Sequence, residues 1–361
     1  MTSAKLAAVT AVPATPAPSA PSAPLRIGFL GAGLIATYHS KSLRHSGAPV
    51  ERRGVYDPDG ERAAAFAAAS GHTVYASEEA VLDDCDAVYV CTWTNEHSRL
   101  VHMAVERGVH VFCEKPLAFT TADAEAMARA ATARGLTHQV GLVLRRSPAY
   151  LWARHLVTAA EAGRVMAVVF RDDQFIPIQG HYSSTWRANK ALVGAGTLLE
   201  HSIHDVDMLR FLVGEVASVS ANTANFHGHD GIEDVCTATL RFAGGASGTL
   251  ASVWHDNLAR PSLRRVEVFC ERRHVVIEGD DWDGPVSWTD HDGASGSLEG
   301  HALRDAVDPM REGGANPDGE FVRAVLEGRA ATPDLWEAVA AHRIVDAMYA
   351  SAAAGGAAVQ P

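Results

Sequence analysis

The chain has 361 residues, 47% of them hydrophobic, and 31 basic residues against 43 acidic ones give a net charge of -12. A chain of this length can bury a large core and has room for two domains, whereas the acidic balance and the lack of a long basic run exclude nucleic acid and anionic membrane as expected partners. The cysteines Cys85, Cys91, Cys113, Cys236 and Cys270 include no CxxC pair, which points to a reducing, cytoplasmic setting without structural zinc.

Residues 1–24 are almost entirely Ala, Pro, Ser and Thr, a composition that cannot offset the entropy of ordering, so a disordered tail is expected. With one lysine, no twin arginine and only LAAV as an apolar run, the tail does not read as a secretory signal. From Leu25 the strand-like runs LRIGFLGAG, ERRGVYD, DAVYVCT, GVHVFCEKP and HQVGLVLR alternate with alanine-rich helical runs. This alternation predicts a doubly wound, mostly parallel α/β sheet with helices on both faces over residues 25–147. Near Pro148 the rhythm breaks: a helix and a strand precede GAGTLLEHSIHDVD, read as another helix, after which strand-like runs are joined by short turns. RFAGGASGTL reads as a hairpin. Residues 148–361 are therefore expected to form an α+β domain with a large, mostly antiparallel sheet, closed by two helices that pack back on the first domain.

The first chemical signal is RIGFLGAGLIA, in which Gly31, Gly33 and Ala36 form a GxGxxA between strand and helix. Gly31 permits the tight turn, Gly33 lets backbone approach a pyrophosphate, and the helix N-terminus supplies amide donors. Leu34 and Ile35 open that helix and belong to the same candidate cofactor site. The next strand ends at Asp57, where a carboxylate can accept from both ribose hydroxyls and would repel a 2'-phosphate. NAD is expected over NADP, with Arg62 the residue that would favour NADP. The second signal is FCEKPLA. At the carboxyl end of a strand, Glu114 and Lys115 would point towards the nicotinamide end, where a lysine can hold a substrate hydroxyl and assist proton transfer.

These motifs, with CTWTNEH, GLVLRRSP and TWRANKALVGAGTLLEHSIHDVDML, resemble the glucose-fructose oxidoreductase, inositol dehydrogenase and MocA family of NAD(P)-dependent oxidoreductases, over nearly all of residues 26–359. The resemblance implies that the first domain, residues 25–147, is a Rossmann dinucleotide-binding domain, with a substrate pocket between the two domains and a homodimer or homotetramer formed through the second sheet. It identifies Lys115 as similar to the family's catalytic lysine and His204 to its acid/base histidine, with Glu200 where many members carry aspartate. It also places Thr92, Trp93, His97, Glu114, Pro116, Trp186 and Arg187 near the cofactor. Trp93 and Thr94 depart from the usual proline and asparagine, and Ala195 from the middle of three glycines.

On one continuous helix, at 100° per residue, Leu199, Ile203 and Val206 would form a core stripe, and Glu200, His204 and Asp207 an adjoining one facing a cleft. A zinc helix needs histidines four apart, but His201 and His204 are three apart, so no metal is expected. His201 and Asp205 read as structural groups, and Asp207 as support. Arg145 and Arg146 could hold an anionic group of a substrate or form interdomain ion pairs. The expected activity is reversible oxidation of a secondary hydroxyl of a sugar, inositol or related polyol. Two other readings stay open: a glycosidase or lyase that oxidises its sugar transiently, and a non-catalytic sugar or cofactor sensor.

Overall fold

The computed structural model describes residues 23–179, 183–279, 282–311 and 316–361, so most of the Ala/Pro-rich tail lies outside the described residues. The first unit runs β1 (Leu25–Leu30), α1 (Leu34–His45), β2 (Val50–Tyr56), α2 (Gly60–Ser70), β3 (Thr73–Val74), α3 (Glu78–Asp83), β4 (Ala87–Val90), α4 (Thr94–Glu106), β5 (His110–Cys113), α5 (Thr121–Ala133) and β6 (His138–Val140). Its six strands are all parallel, in the order β3-β2-β1-β4-β5-β6. Helices cover both faces, so β4 is buried along its whole length and β5 nearly so. The order reverses between β1 and β4, which opens a crevice at their carboxyl ends.

The strand expected through Arg145 stops at Val140, because its neighbour β5 stops at Cys113 and offers no further partner. Val143–Arg146 is a 3₁₀ turn instead. The two-residue β3 and the six-residue α3 are too short to show a period in the sequence.

The second unit contains α6 (Pro148–Thr158), β7 (Val165–Phe175), α7 (Lys190–Val193), α8 (Thr197–Glu200), α9 (Ile203–Val213), β8 (Val216–Ala224), β9 (Val235–Phe242), β10 (Ser247–His255), β11 (Leu263–Cys270), β12 (Arg273–Glu278), β13 (Val286–Asp290), β14 (Ser295–Leu298) and α10 (Gly300–Val307). The sheet order is β14-β13-β12-β11-β7-β10-β9-β8, and only β7 and β10 pair in parallel. Along β9, β10 and β11 alternate residues are buried against α6 and α9. The opposite face is open, with Val169 and Phe269 exposed. The expected hairpin forms: Phe242 and Ala246 are bonded across a turn in which Gly245 has φ +92°. β13, β14 and α10 are additions to the sequence reading: β13 is only five residues long, and β14, rich in Ser and Gly, carries little β signal.

α11 (Pro317–Glu327) and α12 (Leu335–Ala353) carry the chain back to the first unit. Phe321, Val322 and Ala324 of α11 enter the core formed by Phe29, Tyr89 and Phe112, with the Phe321 ring edge-on to Tyr89. α12 spans two cores: Leu335, Ala338 and Val339 pack with α4 and α5, and Ile344, Val345 and Met348 pack with the second sheet and α9. One helix thus holds the two units in register. Phe321→Ala should cost about 3–5 kcal/mol of stability through lost burial and a residual cavity, read by chemical denaturation, although Phe321 follows the second sheet in sequence.

Candidate functional site

At the crevice, β1 gives way to α1 through Gly31, whose φ of +91° suits glycine and whose added Cβ would stand 2.5 Å from the Cys91 carbonyl oxygen. Its N–H donates to the Tyr56 carbonyl at 2.8 Å, which joins the turn to the end of β2. Gly33 acts differently: its backbone is extended, and an added Cβ would meet nothing within 4 Å. The open space lies at the N-terminus of α1, where no side chain caps the first amides and Leu34 and Ile35 are exposed. That arrangement fits a pyrophosphate.

Asp57 is buried and held from two sides, its carboxylate accepting from the N–H groups of Ala32 and Asp59 at 2.9 Å each. Arg62 pairs with Asp57 at 3.2 Å and Asp59 at 3.0 Å. The cation that would have favoured a 2'-phosphate is therefore already partnered. A carboxylate fixed beside the glycine turn fits a ribose diol.

The Glu-Lys pair after β5 divides. Glu114 does not face the crevice as expected but turns inward, where its Oε1 lies 2.7 Å from His39 Nε2, and His39 Nδ1 lies 2.7 Å from Asp318 of α11. Burial alone would lower His39, but Asp318 and Glu114 overcome it and raise its pKa to about 10, so the ring is an imidazolium between two carboxylates. Room for Glu114 comes from Gly141, where a Cβ would stand 2.3 Å from Oε1. Lys115 goes the other way, and its Nζ donates to the backbone carbonyl of Glu200 at 2.6 Å.

His97 is buried with Nδ1 2.9 Å from the Pro116 carbonyl and Nε2 3.2 Å from the Thr92 carbonyl, so it links the loops after β4 and β5 rather than facing a ligand. The Thr92 hydroxyl donates locally to the Trp93 carbonyl at 3.3 Å. Trp93 is exposed and meets Trp186 of the second unit with ring centroids 6.5 Å apart, and the Arg187 guanidinium lies 4.6 Å from the Trp186 centroid.

The expected single helix through GAGTLLEHSIHDVD is interrupted at His201 and Ser202. The His204 N–H bonds the His201 carbonyl at 3.2 Å instead of continuing the α ladder to Glu200. This leaves the Glu200 carbonyl for Lys115. The Glu200 carboxylate accepts from Arg187 Nε at 2.9 Å; burial raises its pKa, but Arg187 and Lys115 outweigh burial and the group is held low and ionised.

The break also ends the predicted polar stripe. Asp207 is fully buried and bound by Arg145 at 2.7 Å, so it supports the domain junction and not the crevice. Arg145 also meets Glu337, and Arg146 meets Glu320 at 3.2 Å. The structure thus assigns the arginine pair to ion pairs rather than to a substrate anion.

His204 stands apart from this network. Its ring makes no hydrogen bond among the described residues, and Nδ1 is buried without a partner. Burial first, then the charges of Lys115, His201 and Arg264, hold its pKa well below the ordinary histidine value, so the imidazole is neutral at pH 7. His201 lies 2.8 Å from Asp172, which also accepts from Arg264 Nε at 3.0 Å, and Arg264 reaches Asp205 at 3.3 Å. Candidate ligand atoms of Asp172, His201 and Asp205 lie within 4.8 Å of one another, with the Arg264 guanidinium bonded among them. Sequence reasoning missed His39 and Asp318 because their shared partner, Glu114, joins α1 to the far end of the chain.

A glycine-turn dinucleotide crevice facing a lysine, a buried carboxylate and a neutral histidine defines an NAD-dependent oxidoreductase. Residues 25–142 match the GFO_IDH_MocA oxidoreductase family with its NAD-binding Rossmann fold, and residues 150–276 match the GFO/IDH/MocA C-terminal domain. The chain belongs to this family. It is 33% identical to 1,5-anhydro-D-fructose reductase of Ensifer adhaerens over 239 residues, covering 64% of this chain and 68% of that one. It is 27% identical to levoglucosan dehydrogenase of Pseudarthrobacter phenanthrenivorans over 263 residues, covering 63% and 66% of the two chains. The fold matches that of levoglucosan dehydrogenase in complex with NADH, with a TM-score of 0.82 at 23% identity over 93% of this chain and 98% of the other.

Replacing Asp57 with Ala should weaken NAD binding roughly tenfold, the scale of one charge-assisted hydrogen bond. NADP binding should weaken less. Titration with each nucleotide measures both, and equal weakening would contradict the ribose assignment.

Proposed function

We propose that the protein reversibly oxidises a secondary hydroxyl of a sugar or related polyol, with Lys115 and His204 as the catalytic pair. One observation carries the reading: the Lys115 ammonium and the neutral imidazole of His204, whose ring has no hydrogen-bond partner among the described residues, flank the same helix break beside the dinucleotide crevice. NAD, when bound, supplies the acceptor for hydride. Gly31, Gly33, Leu34, Ile35 and Asp57 would hold its adenosine and pyrophosphate half, and Thr92, Trp93, Trp186 and Arg187 lie towards the other end.

The substrate hydroxyl sits between the two catalytic side chains. His204 accepts the hydroxyl proton as the hydrogen on the same carbon leaves with both electrons, and the carbon–oxygen bond becomes a carbonyl. Lys115 donates to that oxygen and stabilises the negative charge that develops on it. In the reverse direction His204 returns the proton. Glu200, ionised and anchored by Arg187, retains lone pairs that can accept from a neighbouring hydroxyl. A buried carboxylate of this kind favours polyhydroxylated substrates, since a ligand without the second hydroxyl leaves it unpaired.

A homodimer or homotetramer through the open face of the second sheet accords with the exposed Val169 and Phe269 there. A cytoplasmic location accords with five cysteines that are all buried and unpaired. Among the described residues no helix is long and apolar enough to cross a membrane.

The test is NADH formation from a panel of inositols, anhydrosugars, hexoses and glycosides, with products followed in parallel. Lys115→Ala and His204→Ala should each lower kcat/KM about 10²–10⁴-fold and leave NAD affinity within about threefold. Bond cleavage without net NADH would contradict simple dehydrogenation.

The pH profile supplies a second check. The base must be unprotonated and its pKa is depressed, so kcat/KM for oxidation should stay level down through the ordinary histidine value of about 6.5 and fall only in more acid solution. Lys115→Met removes one of the charges that depress it and should move the inflection towards neutrality. An inflection unmoved by that change would count against His204 as the base.

A further inference from the structure

We infer that Glu233 and Tyr349 are positioning residues for the Lys115–His204 centre, acting through α8; this rests on the alcohol-oxidising reading above. α8 has only four residues, and its N-cap is Gly196, a residue with no side chain to cap it. An isolated turn of this kind has a costly nucleus and several amides without an intrahelical acceptor. The missing acceptors all come from two distant residues.

Glu233, in the loop between β8 and β9, accepts from Gly196 N–H at 2.8 Å and Leu198 N–H at 2.9 Å through its two carboxylate oxygens. Its own carbonyl accepts from Thr197 N–H at 2.8 Å. Tyr349 of α12 completes the set: its hydroxyl accepts from Leu199 N–H at 3.2 Å and donates to Glu233 Oε1 at 2.8 Å. Every amide from Gly196 to Leu199 is thereby satisfied from outside the turn. A carboxylate at this end also complements the positive end of the peptide dipoles.

The fit is close enough to transmit position. A Cβ on Gly196 would lie 1.8 Å from the Glu233 carbonyl oxygen, so the loop backbone rests directly on the start of α8. At the other end of the same turn, the Glu200 N–H bonds the Gly196 carbonyl at 3.0 Å, and the Glu200 carbonyl holds Lys115. A shift at Glu233 is therefore carried one turn along to the atom that fixes the ammonium. The acidic GIED stretch before β9 is the only local sign of this role in the sequence.

The test compares Glu233→Ala, Glu233→Gln and Tyr349→Phe with wild type in the presence of NAD. Glu233→Ala should lower kcat about 10–100-fold, the cost of misplacing a reacting group by a fraction of an ångström to an ångström, with NAD affinity within about twofold. Glu233→Gln keeps one acceptor oxygen and should recover part of the loss. Tyr349→Phe should fall between Gln and wild type.

A second readout does not depend on turnover. Reductive methylation of Lys115, followed by mass spectrometry, should be several-fold faster in Glu233→Ala once the Glu200 carbonyl no longer holds the ammonium in place. A lowered melting temperature with unchanged kcat and unchanged Lys115 labelling would assign Glu233 a purely structural role and overturn the inference. If Glu233→Ala does not fold, Tyr349→Phe and Glu233→Gln carry the same comparison. If wild type oxidises nothing in the panel, the alcohol-oxidising reading fails, while Lys115 labelling still decides whether Glu233 positions the lysine.

Discussion

The bond from Lys115 to the Glu200 carbonyl depends on a broken helix. In an uninterrupted helix that carbonyl would accept from His204, and the lysine would meet a satisfied backbone. The interruption at His201 and Ser202 frees it, and Lys115 crosses from the end of β5 to take it at 2.6 Å. Donor and acceptor belong to different folding units, so the centre exists only when the units are docked. The span of α12 across two cores provides that docking.

Most ionisable groups around the crevice are committed to structure. His39 is locked between Glu114 and Asp318, Arg145 between Asp207 and Glu337, and His201 against Asp172. Removing one member of a buried set like these leaves an uncompensated charge, typically at a cost of about 3–5 kcal/mol. Against that background the uncommitted group is informative. His204 is held neutral by burial and by nearby cations, and no described residue takes its ring nitrogens. A base is useful when it is unprotonated and unoccupied.

Local chemistry was readable in the sequence and distant pairing was not. Gly31 and Asp57 announced themselves because their constraints are set within one βαβ unit: a left-handed turn, and a carboxylate at the next strand end. Lys115 is placed by the same local constraint, the end of β5, and its side chain runs to the Glu200 carbonyl. Glu114, one residue earlier, was misread as facing the crevice, because its direction is fixed by Asp318 from the far end of the chain and by the space above Gly141. Asp207 was misplaced because helical periodicity assumes an unbroken ladder, and the break is maintained by contacts on either side of it. The fold followed the same division. Long periodic strands were legible, whereas β3, β13 and β14, short or rich in Ser and Gly, acquire their conformation from neighbours.

The central claim is that the site removes hydride from a carbinol carbon while His204 takes the hydroxyl proton. Its most direct measurement is isotope transfer, using a substrate from the oxidised set that carries deuterium on the reacting carbon. The deuterium should appear in the reduced nicotinamide, in equal amount to the ketone formed, with slower turnover than the protium substrate. Ketone or cleavage product formed with the deuterium lost to water and none in the nucleotide would contradict it.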